Sequence, residues 1–487
     1  MTLGQAFLPK FCQGDDGNCR GIRVTDSHPS GQSHAEPCQF HSRDPVRAWS
    51  VADRSRLAAP EPVGWLLAQI QPGLPTPHLD RYRSSGAILR DVLGALRLTD
   101  GDARREANMA ILRDDLRPEL MDRFRTQVTT ETPFAERLVR FWSNHFTVSN
   151  VVRVISPATT AFEREAIRPF IFGRFAEMLR ASSRHPCMLT YLDNIRSVGP
   201  NSPQGRRQMQ RQGLETTLNE NLAREILELH TLGVNGGYTQ DDVIEFAKAI
   251  TGWGHSGLVG RDAPLPRQIT FAFNEAAHEP GPKTVLGRRY PEAGDEEGVR
   301  ILNVLAHHPS TARHIATKLA RHFIADDPPP EAVETLTNVF LETGGNLAEV
   351  TRALVLLDAP WNQPLSKIKT HEEFVISVHR LAGLESLQQR EVMEPLRELN
   401  QQPFSAPSPA GWSDRGPDWI GPEALMMRID WARRYATTLP PTLSPDEVLQ
   451  TALGPMCSED TRTWVSRAAS GDEALAMIFV SPEFQRR

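Results

Sequence analysis

Cysteine is scarce in this sequence, with five residues in 487, and three of them (Cys12, Cys19 and Cys38) crowd into the opening segment, leaving only Cys187 and Cys457 beyond it. So thin a supply implies no disulfide framework. Long apolar runs are missing too: nothing approaches the roughly 18 residues that a membrane span needs. The opening residues MTLGQAFLPKFCQGDDGNCRG contain neither a basic n-region nor an apolar h-region, so the chain as it stands is expected in the cytoplasm, and an exported or periplasmic location would require an atypical start. No one sign of charge dominates. Lys and Arg number 54 against 60 Asp and Glu, a formal net charge of -6, which gives no general attraction for phosphate backbones despite local arginines at 206, 207 and 211. Nucleic acid is therefore not an expected partner. GxSxG, GxxxxGK[ST] and HExxH are all absent, which disfavours serine esterases and P-loop enzymes and leaves a zinc hydrolase without motif support.

What is present divides into an arm and a body. Residues 1–44 are rich in Gly, Ser, Asp, His and Pro and carry almost no periodic apolar residues, so they are expected to form a poorly ordered arm. Cys12, Cys19, Cys38 and His41 could supply four zinc ligands, but the first gap exceeds the about two to four residues usual between paired ligands. Residues 45–487 form the body.

In the body, apolar residues recur at helical spacing. TPFAERLVRFWSNHF offers Thr132 as N-cap, Pro133 at the first helical position, and Phe134, Leu138, Phe141 and Trp142 on one face. LETTLNENLAREILELHTLGVNGG places Leu218, Leu222, Ile226 and Leu229 together and stops at Gly233. Thr239 and Asp242 make a capping-box start for the next helix. Between Arg267 and Tyr290, alternating Ile269, Phe271 and Phe273 followed by HEPGPK predict a small β-hairpin. QQPFSAPSPAGWSDRGPDWIGP reads as a long surface loop over a cleft. The expected fold is mainly α, a multi-helix globular array with a small β-hairpin insertion.

Several segments in this order resemble one family: RLVRFWSNHFTVS, PCMLTYLDNIRSVGPNS, NENLAREILELHTLGVNGGYTQDDVIEFAKAITGW, HEPGPKTVLGRRYPE, GWSDRGPDWIGPEALMMRIDWA and SPEFQRR. Together they are similar to the domain of unknown function 1800 family. The resemblance implies a mostly helical bacterial protein, often exported, and often encoded beside a sulfatase-like or alkaline-phosphatase-like protein as a partner. The start of the chain departs from that pattern, since an export signal and a first helix pair would be expected where the Cys/His arm stands.

Candidate chemistry lies in five places. His145 falls on or beside the apolar face of its helix with Asn144 next to it; it is either a buried imidazole satisfied by a carbonyl, or a base or metal ligand with a shifted pKa. On the NENLAREILELH helix, Glu220, Asn221, Arg224, Glu225 and Glu228 lie within an arc of about 140°. That stripe is either a solvated ion-pair ladder, or a site in which Glu225 and Glu228 share a proton or an ion while Arg224 clamps an anion. His230, in the last turn, serves the helix end or joins His145 and Glu225 around a divalent metal that activates water. His278 and Lys283, at the hairpin tip, and Asp193 with Asn194, beside SVGPNS, are further candidates for contact with substrate. Trp412 and Trp419 are either core anchors or platforms for a sugar ring. The combined expectation is a hydrolase-like enzyme acting on a polar or carbohydrate-type substrate through His145, Glu225 and Glu228, with a non-catalytic binding or assembly protein as the alternative.

Overall fold

The computed structural model describes residues 62–72, 79–212, 218–362, 365–383 and 388–487. The arm expected at 1–44, including the candidate zinc ligands, lies outside the described residues.

The fold is mainly helical. The Pro133–His145 helix buries Phe134, Leu138, Phe141, Trp142 and His145, and Pro133 occupies its first turn. Thr132 does not cap it: that hydroxyl pairs with Thr130 at 3.0 Å, and the N–H of Phe134 donates instead to the side chain of Gln69 at 2.9 Å. A distant glutamine thus satisfies one of the donors that every helix start leaves open. The capping box expected at Thr239 and Asp242 is formed, opening the Gln240–Ala249 helix. The helix expected from Leu218 starts only at Asn221, ends at Glu225 and continues as a wider π turn, Ile226–His230, before Gly233 adopts φ +86°.

Strands are few. β1 (Trp253–His255) pairs antiparallel with β2 (Phe271–Phe273), and β3 (Lys283–Val285) with β4 (Arg288–Tyr290). A small hairpin does lie between Arg267 and Tyr290, but not with the expected pairing: Phe271–Phe273 pairs back onto a strand that directly follows a helix, and the hairpin is β3–β4, so HEPGPK connects the two sheets rather than forming the tip. The β3–β4 turn holds Leu286 at φ 51° and Gly287 at φ 70°, the pair of left-handed residues that a tight two-residue hairpin needs. Leucine tolerates that conformation because its N–H donates to Asp242 at 2.6 Å.

Two apolar cores form. The larger joins the Ser85–Leu96, Pro133–His145, Gln240–Ala249, Asp295–Ala306 and Pro309–Phe323 helices. The smaller joins Phe124 and Val128 to the His371–Ala382, Pro422–Ala436 and Gly471–Val480 helices. The seam between them is charged: Arg123 bonds Glu163 at 2.9 Å on one side and Glu372 at 2.8 Å on the other, and Arg140 reaches Glu373 at 3.2 Å. Buried ions must be paired to be tolerated, so these pairs fix how the two cores meet. No helix among the described residues is long and apolar enough to cross a membrane.

Candidate functional site

A π turn leaves carbonyls at its C-terminal end without helical partners, and two histidines from other helices supply the donors. His314 Nε2–H donates to the Leu229 carbonyl at 3.0 Å, and His145 Nε2–H donates to the His230 carbonyl at 3.1 Å. His145 is 2% exposed and ringed by Phe141, Trp142, Phe146 and Phe175. Its Nδ1 and both ring nitrogens of His230 are buried with no hydrogen-bond partner, and the two ring centroids are 6.0 Å apart. Burial, reinforced by Lys318, holds the His145 imidazole well below its usual value and pushes His230 down to about 3. Both rings are therefore neutral at physiological pH.

Glu225 and Glu228 engage other partners. Burial and then Glu228 raise the Glu225 carboxyl, Arg224 partly offsets this, and burial followed by Glu225 raises the half-buried Tyr191. Glu228 accepts from Tyr238 at 3.2 Å, while Arg224 pairs with Glu220 at 2.8 Å. The structure thus brings His145 to His230 and His314, and Glu225 to Glu228, with no hydrogen bond or ion pair between the two groups among the described residues. Among the described residues no set of three His, Cys, Asp or Glu is arranged to hold a metal ion.

The remaining sequence candidates fall in different surroundings. Asn194 is buried and donates to the carbonyls of Ile250 and Trp253 at 3.2 and 3.0 Å, while Asp193 is half-exposed at φ 56°. His278 and Lys283 turn inward onto buried Glu297 at 3.3 and 2.7 Å, tying the hairpin to the Asp295–Ala306 helix. Asn144 is the exception, because it opens on a cleft.

That cleft, about 510 Å³, lies at the seam. The C-terminal end of the Pro133–His145 helix contributes Arg140 and Asn144, the Pro309–Phe323 helix His322, and the start of the His371–Ala382 helix Glu372 and Glu373. The late loop closes it with Trp412, Ser413, Asp414 and Trp419, and the same four residues wall a wider outer hollow of about 1340 Å³. Asn144 pins this loop: its amide donates to the Trp412 carbonyl at 2.9 Å and its oxygen accepts the Trp412 N–H at 2.7 Å. Gly411, at φ +80°, makes the approach possible, since a Cβ there would sit 2.5 Å from the Asn144 carbonyl oxygen. Trp419 is 5% exposed and anchored by its indole N–H on Ser413 at 3.0 Å, whereas Trp412 keeps more of its ring open.

The charged groups of the cleft are coupled. His322 Nδ1 lies 3.5 Å from Asp414, and its Nε2 accepts from Arg487 at 3.2 Å. Burial and then Arg487 push the imidazole down to about 4 against the pull of Asp414. Burial alone would raise Asp414, but His322, Lys318 and Lys367 overcome it and hold the carboxyl at about 2. Glu373, buried beside Arg487, Arg140 and Arg137, is likewise kept ionised far below the usual range. At neutral pH the cleft therefore presents a neutral imidazole oriented by a carboxylate, beside a half-open tryptophan.

A family model described as a protein of unknown function (DUF1800) matches residues 48–486. The chain belongs to that family. No curated protein and no solved structure matches it.

For this member of the family, sequence reasoning reached Asn144, the two tryptophans and the loop over a cleft, but missed His322, Asp414, Arg140, Glu372, Glu373 and Arg487. Thr370 followed by HEEF carried one usable signal, since its capping box fixes Glu373 at a helix start. The histidine of KLARHF and the aspartate of GWSDRG carried none, because they meet only once the loop folds back on the helix.

Proposed function

We propose that the protein is a hydrolase-like enzyme for a polar, carbohydrate-type substrate, working in the cleft at the seam. The observation that carries this reading is the Asp414–His322 pair opening into the same hollow as Trp412. The ring of Trp412 offers an apolar face against which a sugar can stack, and Asn144, Gln401 and Ser413 surround it with hydrogen-bonding groups. Asp414 holds the His322 Nδ1–H side, leaving the Nε2 lone pair to take a proton from water or a substrate hydroxyl once Arg487 is displaced from it. The carboxylate then stabilises the imidazolium. Burial and Arg487 keep the ring neutral beforehand, the form that can act as a base.

Purified protein assayed against a panel of p-nitrophenyl glycosides and esters tests this. His322→Asn and Asp414→Asn should each lower kcat by about 100-fold or more with little change in KM. Turnover that survives both substitutions would remove the chemistry from this pair.

One feature favours a second reading, a binding or assembly protein without chemistry: each carboxylate of the cleft already has a cationic partner, and both nitrogens of His322 are engaged. The partner would then be the sulfatase-like or alkaline-phosphatase-like protein implied by the resemblance. Under this reading the asparagine variants bind ligand as the parent does and no turnover is seen in either.

A further inference from the structure

Behind Glu373, a second hollow of about 630 Å³ opens between the two cores. Five basic side chains face it, Arg137, Arg140, Lys369, Arg380 and Arg487, with burial pushing Lys369 down to about 7, against two carboxylates, Glu136 and Glu373. One of those carboxylates is already taken, because Glu136 is held by both ends of the Arg168 guanidinium at 2.7 and 2.8 Å. The other is shared: Glu373 receives Arg487 at 2.7 Å, Arg140 at 3.2 Å and the Thr370 N–H at 2.9 Å. Two of the cations also reach carbonyls, Arg380 those of Val128 and Thr130 and Lys369 that of Phe484.

Donors remain unused. Arg137 forms no ion pair among the described residues and lies over the Phe323 ring with its Nε buried and without a partner. One terminal nitrogen of Arg140, the Nε of Arg487 and both side-chain atoms of Gln127 are also buried and unpartnered. The side chains of Arg140 and Arg487 are 12% and 10% exposed. Buried cations without counter-charge are costly, and guanidinium forks aimed into one hollow match the oxygens of a tetrahedral anion. Burial together with Arg487 pushes Arg137 down to about 9 although Glu373 pulls the other way, the direction expected where positive charge is only partly compensated.

We propose that this hollow is a binding site for a tetrahedral oxyanion, phosphate or sulfate, held chiefly by Arg137 together with Lys369 and the free edges of Arg140 and Arg487. The site does not depend on chemistry in the neighbouring cleft. Because Arg140, Glu373 and Arg487 face both hollows, the anion is either a free ion or the ester group of a molecule whose remainder lies along the cleft.

Calorimetric and thermal-unfolding titrations of the full chain at constant ionic strength test the site, using inorganic phosphate, inorganic sulfate, glucose 6-phosphate and glucose 6-sulfate as probes and chloride as control. At least one oxyanion should bind saturably and raise the unfolding midpoint. Arg137→Met should weaken that binding by about tenfold or more. With no oxyanion present, the same variant should unfold at a higher temperature than the parent, because the unpaired guanidinium is gone. Arg137→Lys should retain part of the affinity, and Lys369→Met gives a second test should Arg137→Met fail to fold. Tighter binding of the sugar esters that falls back to the inorganic level in Trp412→Ala would identify an ester bound along the cleft; equal affinities would identify the free ion. Absence of saturable binding by all four probes, or affinity unchanged in both Arg137→Met and Lys369→Met, would overturn the proposal.

Discussion

Lowering the pH should unfold this protein earlier than its carboxylates alone would. His230, His314 and His322 are buried neutral, at about 3, 4 and 4 in the folded state against 6.5 for a free imidazole. Below 6.5 the unfolded chain takes up a proton on each, whereas the folded chain does not until about 4 or lower. The unfolded state then binds more protons, so stability falls as pH falls. At pH 5 each imidazole costs about 2 kcal/mol, and the three together about 6 kcal/mol, against a typical total stability of about 5–15 kcal/mol. Urea unfolding followed by tryptophan emission at pH 7 and pH 5, on the parent and on His322→Gln, isolates one of the three. The stability gap between the two chains should shift by about 2 kcal/mol in favour of the variant at the lower pH. Glu119 and Glu225, whose carboxyls burial raises, act in the opposite direction in both chains and cancel in the comparison. A gap that stays constant within about 0.5 kcal/mol would show that His322 is not held neutral by its surroundings.

Other substitutions test other parts of the account. His145→Ala removes the donor to the His230 carbonyl and leaves a hole among four aromatic rings, so urea midpoints should report a loss of about 3 kcal/mol or more. Dialysis against EDTA should leave the thermal midpoint of the parent unchanged; a fall of several degrees that His145→Ala abolishes would instead indicate a metal held by His145 and His230. Gly411→Ala should cost about 1–3 kcal/mol by straining the loop against Asn144, with a shift in tryptophan emission as Trp412 moves. Lys283→Met leaves Glu297 buried without its ammonium partner and should destabilise the chain by about 3–5 kcal/mol, measured by the same unfolding titration.

Much of the helical layout was legible because periodicity and capping are local. Pro133 at a first turn, the Thr239–Asp242 box and Gly233 after a helix each depend on a few neighbouring residues. The π turn at Ile226–His230 was not legible, because a constant step of 100° per residue assumes one helix type; His230 nevertheless faces the apolar side, 5.1 Å from the Phe146 ring. The strand at Trp253–His255 was also hidden, since three residues following a helix show no alternation that could distinguish them from a loop. For the site, the sequence marked Asn144 and the tryptophan loop, both inside recognisable local patterns. It could not reveal that His322, Asp414, Glu373 and Arg487 converge, because they come from four separate segments and depend on how the two cores meet.

The central claim is that the hollow beneath Trp412 receives a polar ligand. Titrating the protein with soluble oligosaccharides while following tryptophan emission tests it most directly. At least one should change the emission saturably, with affinity falling about tenfold or more in Trp412→Ala. An affinity identical in parent and Trp412→Ala, or emission that no oligosaccharide alters, would contradict the account.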